Sequence, residues 1–182
     1  MDFPATVLEP CVLIHPWSLE SLGSILSAMN GNTFSSPQSA VYPVANTAYF
    51  FPFYVGKTIT ALNLIWLNGT TSSGNIDVGI YSSDGTRLVS AGSTAQGTVS
   101  QDQSVSISLE FGPGLFYLAI VMDNTTGTFQ RGKANASTLT QVMSAMGAAQ
   151  MASAFPLPAT ATLAALTTDY VPFFGLSIRS FV

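Results

Sequence analysis

The sequence of 182 residues predicts an all-β protein, an antiparallel β-sandwich in a single domain that is long enough to bury a core. Two observations favour this fold class. Several stretches alternate apolar and polar residues with a period of two, as half-buried strands do. Short turns rich in Gly, Asp and Asn separate these stretches, and such turns join antiparallel strands.

An extended arm is predicted over residues 1–44, before the sandwich at residues 45–182. Prolines interrupt this arm repeatedly. One short helix is predicted over residues 18–29, because apolar side chains recur there on one side of a helix: Leu19, Leu22, Ile25, Leu26 and Met29. Such an arm packs either on its own sandwich or on a neighbouring subunit, and the sequence leaves both arrangements open.

Two strands are predicted at the start of the sandwich. The first covers residues 47–55 and contains Pro52. Proline has no backbone N–H for a β-ladder, so this strand should lie at an edge or contain a bulge. The second covers residues 58–67, where Leu62, Leu64 and Trp66 are expected to share one face.

Residues 75–90 hold the clearest strand–turn–strand pattern. Ile76, Val78 and Ile80 alternate with residues of the opposite face, which is expected to be the wet one. The turn at residues 82–85 contains Asp-Gly, a pair that adopts turn geometry readily. Residues 87–90 are predicted to return as the next strand.

The strand at residues 115–122 is apolar at both parities, unlike the preceding strand at 104–109, whose apolar residues alternate with serines. A strand with two apolar faces is either central and covered on its back or lies at a subunit interface. A subunit interface is therefore predicted for one of its faces: Leu115, Tyr117, Ala119 and Val121.

One more short helix and a closing strand are predicted in the C-terminal part of the chain. Thr138 and Gln141 have the spacing of a helix capping box, and Gly147 is suited to end that helix. Phe174, Leu176 and Ile178 have strand parity. A last strand that returns to pair with an early one is common in jelly-roll folds, so the sandwich is predicted to be jelly-roll-like.

The composition favours an assembly. Apolar residues make up 47% of the chain and charged residues only 8%, against roughly 25% charged residues in an ordinary soluble domain. Such a chain is either an unusual monomeric β protein or one whose surface is largely covered by neighbouring subunits, and the second alternative is favoured. The five basic residues are spread singly, so no nucleic-acid partner is predicted.

No membrane insertion and no signal peptide are predicted. The longest apolar runs, residues 49–55 and 115–122, are far shorter than the roughly 20 residues of a spanning helix. No Lys or Arg precedes Lys57, so the basic start of a secretory signal is lacking.

No enzyme and no cofactor are predicted. His15 is the single histidine and Cys11 the single cysteine, which is too few for a zinc site. In an extended segment these two residues lie about 13 Å apart, too far for a catalytic pair. Calcium is less firmly excluded, because loop carboxylates suffice as ligands. A hydrolase with two unrecognised carboxylates stays as the enzymatic alternative.

Glycan binding is the second functional hypothesis, because an exposed Tyr or Trp face beside polar groups can stack on a sugar. Tyr81 has the outward parity of its strand and adjoins a turn, so it is predicted as the glycan contact. Trp66 is predicted to be in the core instead, since it shares its parity with Leu62 and Leu64.

Four segments, in this order, carry a resemblance to the small β-sandwich proteins of tailed-bacteriophage virions: NIDVGIYSSDGTRLVSAGSTAQ (75–96), GPGLFYLAIVMD (112–123), FPLPATATL (155–163) and YVPFFGLS (170–177). These virion proteins include tail-fibre, minor tail and capsid-surface proteins, and their sandwich is similar to carbohydrate-binding modules. The resemblance covers about residues 45–180 and brings no catalytic residues with it.

The resemblance implies a structural protein of the virion, assembled in the host cytoplasm, on the tail or on the capsid surface. We expect the chain to self-associate as a homotrimer, to contact other virion proteins and to contribute to host attachment. The alternative is a carbohydrate-binding receptor-recognition module.

Overall fold

The computed structural model describes residues 12–14, 35–133, 141 and 143–179. Cys11, His15 and the helix predicted at residues 18–29 lie outside this part of the chain. The described residues form the following strands: β1 (Val12–Ile14), β2 (Ser35–Val41), β3 (Ala48–Val55), β4 (Ile59–Leu67), β5 (Asn75–Ser82), β6 (Arg87–Ser90), β7 (Thr94–Ala95), β8 (Asp102–Phe111), β9 (Gly114–Met122), β10 (Thr128–Lys133), β11 (Ala149–Met151), β12 (Ala164–Ala165) and β13 (Phe174–Arg179).

The first sheet has the strand order β1-β13-β4-β8, and its neighbours are antiparallel. The predicted closing strand is thus confirmed as β13, which pairs with two early strands. Against β13, β4 carries a bulge between Ala61 and Asn63, and against β4, β8 carries one at Ile107 and Ser108. Because of the bulge on β4, Ala61, Leu64 and Trp66 are buried while Leu62 is only half-buried, so the even spacing expected for the apolar face of β4 was wrong at Leu62.

The second sheet has the order β12-β11-β3-β9-β5-β6, with β7 alongside one end of β5. β11 pairs with β3 only from Ala48 to Phe50. Pro52 lies beyond that pairing and has a ladder partner, Tyr117, on one side only. β3 is therefore an interior strand without a bulge, so the edge or bulged strand predicted from Pro52 was wrong, although Pro52 itself lies where β3 has a neighbour on one side only.

The two sheets face each other across one core. Buried residues of the first sheet, such as Leu64, Trp66 and Leu176, pack in the same cluster as Phe51 and Ile120 of the second. This arrangement confirms the predicted all-β antiparallel sandwich. The jelly-roll detail stays a prediction.

Both described parts of the predicted arm pair with strands of the same chain. β1 lies against β13, and β2 forms a separate two-stranded sheet with β10. Residues 143–145 are helical, and Gly147, with a φ of 90°, follows them as the predicted helix end requires. Among the described residues, no helix has the length and the hydropathy that crossing a bilayer would need.

Candidate functional site

A strap, residues 149–165, crosses the outer face of the second sheet, on the side away from the main core. It begins with β11, which pairs with β3, and ends with β12, which returns beside β11. Apolar residues of the strap and of the sheet form a second, smaller core: Ala149, Ala154, Leu157 and Ala161 from the strap, with Ala48, Phe50, Tyr81, Ala119 and Val121 from the sheet. The middle of the second sheet is therefore buried on both faces.

The strap corrects the predicted subunit interface on β9. Ala119 and Val121 are fully buried beneath it, and Tyr117 is half-buried. Only Leu115, at the start of the strand, is exposed, to 45%. β9 has two apolar faces because the chain covers it on its back, so Ala119 and Val121 cannot contact a neighbour while the strap is in place.

The strap also corrects the prediction for Tyr81. Its side chain has no exposed surface, its ring packs edge-on against Phe50, and its hydroxyl donates a hydrogen bond of 2.6 Å to the carbonyl oxygen of Pro158. The Tyr81 side chain points away from the main core, as its position in the alternating pattern of β5 predicted. The expected exposure was wrong, because the strap lies over that face, and Tyr81 no longer supports a glycan contact.

Asp77 is the most unusual polar residue beneath the strap. It is fully buried, and its Oδ2 accepts a hydrogen bond of 3.0 Å from the backbone N–H of Leu157. No described residue makes a hydrogen bond of standard geometry to its other oxygen, Oδ1. The guanidinium of Arg87 donates to the carbonyl oxygen of Leu157. Leu157 of the strap is thus held at two points. The Asp77 carboxylate binds its N–H, and the Arg87 guanidinium binds its carbonyl oxygen.

Burial raises the pKa of Asp77 to about 6, because a charged carboxylate loses its hydration there. The Leu157 N–H, the nearby Gly92 N–H, the Arg87 charge and the Ser90 hydroxyl each act to lower this pKa, but together they do not offset the burial. Burial beneath the strap therefore dominates, and Asp77 is expected to titrate near pH 6.

Backbone hydrogen bonds extend the attachment of the strap to the β5–β6 hairpin. The N–H of Arg87 donates to Ala159 O (2.9 Å), and the N–H of Ala161 donates to Gly85 O (2.8 Å). Gly85 has a φ of 86°, and a Cβ built on it would lie 2.6 Å from Ala161 O. Only glycine therefore fits this turn under the strap. The Asp-Gly turn that the sequence predicted is also a docking point for a segment far along the chain.

The strap leaves one end of the outer face open. Tyr54 is 73% exposed and lies directly opposite Leu115 in the β3–β9 ladder. The next pair on the same face of this ladder, Pro52 and Tyr117, is half-buried. We call these four residues the outer patch. It is a contiguous apolar surface, of the kind that often marks a contact with another molecule.

The carboxylates considered for calcium do not gather into a site. Among the described residues, no three His, Cys, Asp or Glu side chains lie close enough together to hold a metal ion. Asp123, for example, accepts hydrogen bonds from the N–H and the side-chain amide of Asn75 and from the amide of Asn124. Its oxygens hold the loops at that end of the sandwich together.

Comparison with known proteins gives no relative: no family model, no curated protein and no solved structure matches the chain. The resemblance to virion β-sandwich proteins therefore stays a prediction from the sequence.

Sequence reasoning missed Tyr54 and Asp77. Tyr54 was not singled out from the sequence, although its parity, shared with Pro52, could have indicated an outward position. Asp77 was assigned to the wet face of β5. No local signal could have identified it as buried, because the strap residue that covers it is 80 positions away.

Proposed function

We propose that this chain is a non-enzymatic structural protein of a bacteriophage virion, which self-associates on the tail or capsid surface and contributes to host attachment. The observation that carries the proposal is an apolar outer patch on a chain with only 8% charged residues. A domain that has already covered most of its outer sheet face with its own strap still leaves Tyr54 and Leu115 in water. A contact with a neighbouring subunit would cover them.

The outer patch is suited to such a contact because it is built on paired strands. Tyr54 and Leu115 are held side by side by the β3–β9 ladder. Their backbones are therefore already ordered before binding, and Tyr adds a large contact area with a polar tip. Aromatic residues are enriched at the centres of protein interfaces. Placement in a virion rests on the resemblance together with this patch.

The double substitution Tyr54→Ser and Leu115→Ser is expected to weaken self-association at least about tenfold, since it removes the exposed apolar pair. It should cost no more than about 1 kcal/mol of folding stability, because both side chains are exposed and lose only a cross-strand contact. Sedimentation velocity over a range of micromolar concentrations measures the association, and urea denaturation measures the stability.

Val44→Ser is the matched control, since Val44 is 53% exposed and lies outside the outer patch. Its association should equal that of the wild type. A wild-type protein that sediments as a monomer at all these concentrations would contradict the self-association. Equal weakening by Val44→Ser would show that general surface hydrophobicity is responsible, rather than the outer patch.

Glycan recognition is a second candidate function, now favoured by Tyr54 instead of Tyr81. The Tyr54 ring is the most exposed of the large apolar side chains in the described part of the chain. An exposed tyrosine ring can stack on a sugar face. Binding on a glycan array that is lost in Tyr54→Ser and kept in Val44→Ser would support this function, and absence of binding by the wild type would remove it.

A further inference from the structure

The middle of the strap, residues 152–163, is attached to the second sheet mainly by single hydrogen bonds. Among the described residues, this part of the chain forms one isolated bridge, Thr86 with Thr160, and no ladder. β9 beneath it pairs with β3 on one side and with β5 on the other, along most of its length. The strap can therefore lift while the sheet that it covers stays formed, as weakly held segments of folded proteins do.

The apolar contacts of the strap are also modest. Its buried side chains in the second core are three alanines and Leu157. Larger side chains pack beside them but stay half-buried: Met151, Phe155 and Leu163. Because the stabilisation from burial scales with the apolar area removed from water, alanines contribute little of it. Lifting the strap should thus cost much less than opening the main core, which contains large side chains such as Trp66 and Phe174.

Asp77 lies beneath the middle of the strap and links its attachment to pH. Its side chain has no exposed surface, and Oδ2 accepts a hydrogen bond from the Leu157 N–H, while Oδ1 has no partner of standard geometry among the described residues. A carboxylate in such a place is more stable protonated, because its charge loses hydration without full compensation. Lifting the strap returns it to water, so ionisation favours the open strap and protonation the closed one.

The other charged and titratable groups around Asp77 do not remove this preference. The charge of Arg87 on β6 acts on Asp77, but its guanidinium donates to the carbonyl oxygen of Leu157. Tyr81, on β5 itself, stays uncharged near neutral pH, because burial raises its pKa. The strap contains no titratable side chain, and β9 places Val121 opposite Asp77. The titratable residues of β3 and β9 are tyrosines: Tyr49, Tyr54 and Tyr117.

We propose that the strap is a pH-dependent cover, which stays closed over the outer face of the second sheet while Asp77 is protonated and shifts toward an open form when Asp77 ionises. The open form exposes the apolar residues that the strap buries on this face: Phe50, Tyr81, Ala119 and Val121. This cover does not depend on the proposed self-association, since Tyr54 and Leu115 are exposed with the strap closed.

The opening equilibrium constant of the strap is expected to be about 50-fold larger at about pH 7 than at about pH 4. With the strap closed, burial raises the pKa of Asp77 to about 6, and in water this pKa returns to its ordinary value of 3.8. The closed form therefore holds the proton more tightly than the open form. The stability of the closed strap is fully present below 3.8 and is lost as the pH rises through about 6.

Hydrogen exchange of individual amides, followed by NMR on the full chain, measures this opening. The strap is reported by the N–H groups of Leu157 and Ala161, which bond to Asp77 and to the carbonyl oxygen of Gly85. The amides of the β5–β9 ladder report global unfolding. After correction for the intrinsic rate at each pH, the strap amides should exchange at least about tenfold faster than the ladder amides. Their opening should rise with pH as calculated, and the rise should vanish in Asp77→Asn.

Asp84→Asn is the matched control for this exchange experiment, because Asp84 is an exposed carboxylate of the β5–β6 turn. It should keep the wild-type rise. A wild-type opening that is equal at both pH values, or a rise that persists in Asp77→Asn, would overturn the proposal. Strap and ladder amides that exchange at one common rate would overturn it as well, since the strap would then open only with the whole domain. This last comparison uses the wild type alone and decides even if Asp77→Asn fails to fold.

Discussion

Asp77→Asn is expected to remove a pH dependence of folding stability of about 2–3 kcal/mol between about pH 4 and about pH 8. In the folded state burial raises the pKa of Asp77 from 3.8 to about 6. The folded protein therefore holds this proton more tightly than the unfolded chain does. The stability that the protonated form contributes is fully present below the unfolded pKa of 3.8 and is lost as the pH rises through about 6.

The measurement is urea denaturation of the wild type and of Asp77→Asn across this pH range. The difference between the two proteins isolates Asp77, since carboxylates far from the substitution contribute equally to both. We expect Asp77→Asn to gain stability relative to the wild type as the pH rises, whatever the amide itself costs in packing. Parallel stability curves for the two proteins would show that Asp77 is not buried by the strap.

Asp84→Asn is the matched control. Its stability relative to the wild type is expected to change with pH in the direction opposite to that of Asp77→Asn. The hydroxyl of Ser82 and the N–H of Thr86 donate to the Asp84 carboxylate and lower its pKa. A lowered pKa gives stability that is present above 3.8 and is lost as the pH falls. Asp84→Asn should therefore lose stability relative to the wild type as the pH rises from the acid side, although only slightly, because Asp84 is exposed.

Leu157→Ala is expected to destabilise the fold by about 2–5 kcal/mol, as other large-to-small substitutions in a core do. Leu157 is 1% exposed and packs in the second core, over Gly79 of β5. Its backbone is also the point that Asp77 and Arg87 hold. The loss of this side chain should therefore loosen the strap and uncover Phe50, and urea denaturation together with binding of an apolar dye measures both effects.

Leu88→Ala serves as the control for Leu157→Ala. Leu88 lies on β6 in the same sheet but is 37% exposed, so its truncation should cost less than about 1 kcal/mol. If Leu157→Ala cost no more than Leu88→Ala, the strap would not be a packed part of the domain. In that case the outer face of β9 would become available to a partner, as the sequence first suggested.

The alternation of apolar residues predicted the strands well because it depends on neighbours within each strand. Ile76, Val78 and Ile80 face the main core as expected, and so do the half-buried Val105 and Ile107 of the edge strand. Pro52 lies where β3 pairs with β9 alone, beyond the short pairing of β3 with β11. Period and turn residues are local properties, and a single sequence records them directly.

The strap could not be predicted in the same way. Its residues are mostly Ala, Pro, Leu and Thr without a period of two or of 3.6, so nothing in them specifies which surface they cover. Tyr81 and Asp77 were both assigned correctly to the outer parity of β5. Whether that face is wet depends on Leu157 and Pro158, which contact it from far along the chain. The candidate surface, Tyr54 with Leu115, emerges only once this covering is known.

The proposed virion role is tested most directly by a density map of a purified phage particle whose genome is shown to encode this chain. The account predicts density for this sandwich on the tail or the capsid surface, with Tyr54 and Leu115 covered by a neighbouring protein and with the strap in place over β9. A particle that lacks this chain would contradict the virion role. A particle that contains it with both residues open to solvent would contradict the outer patch as the subunit contact.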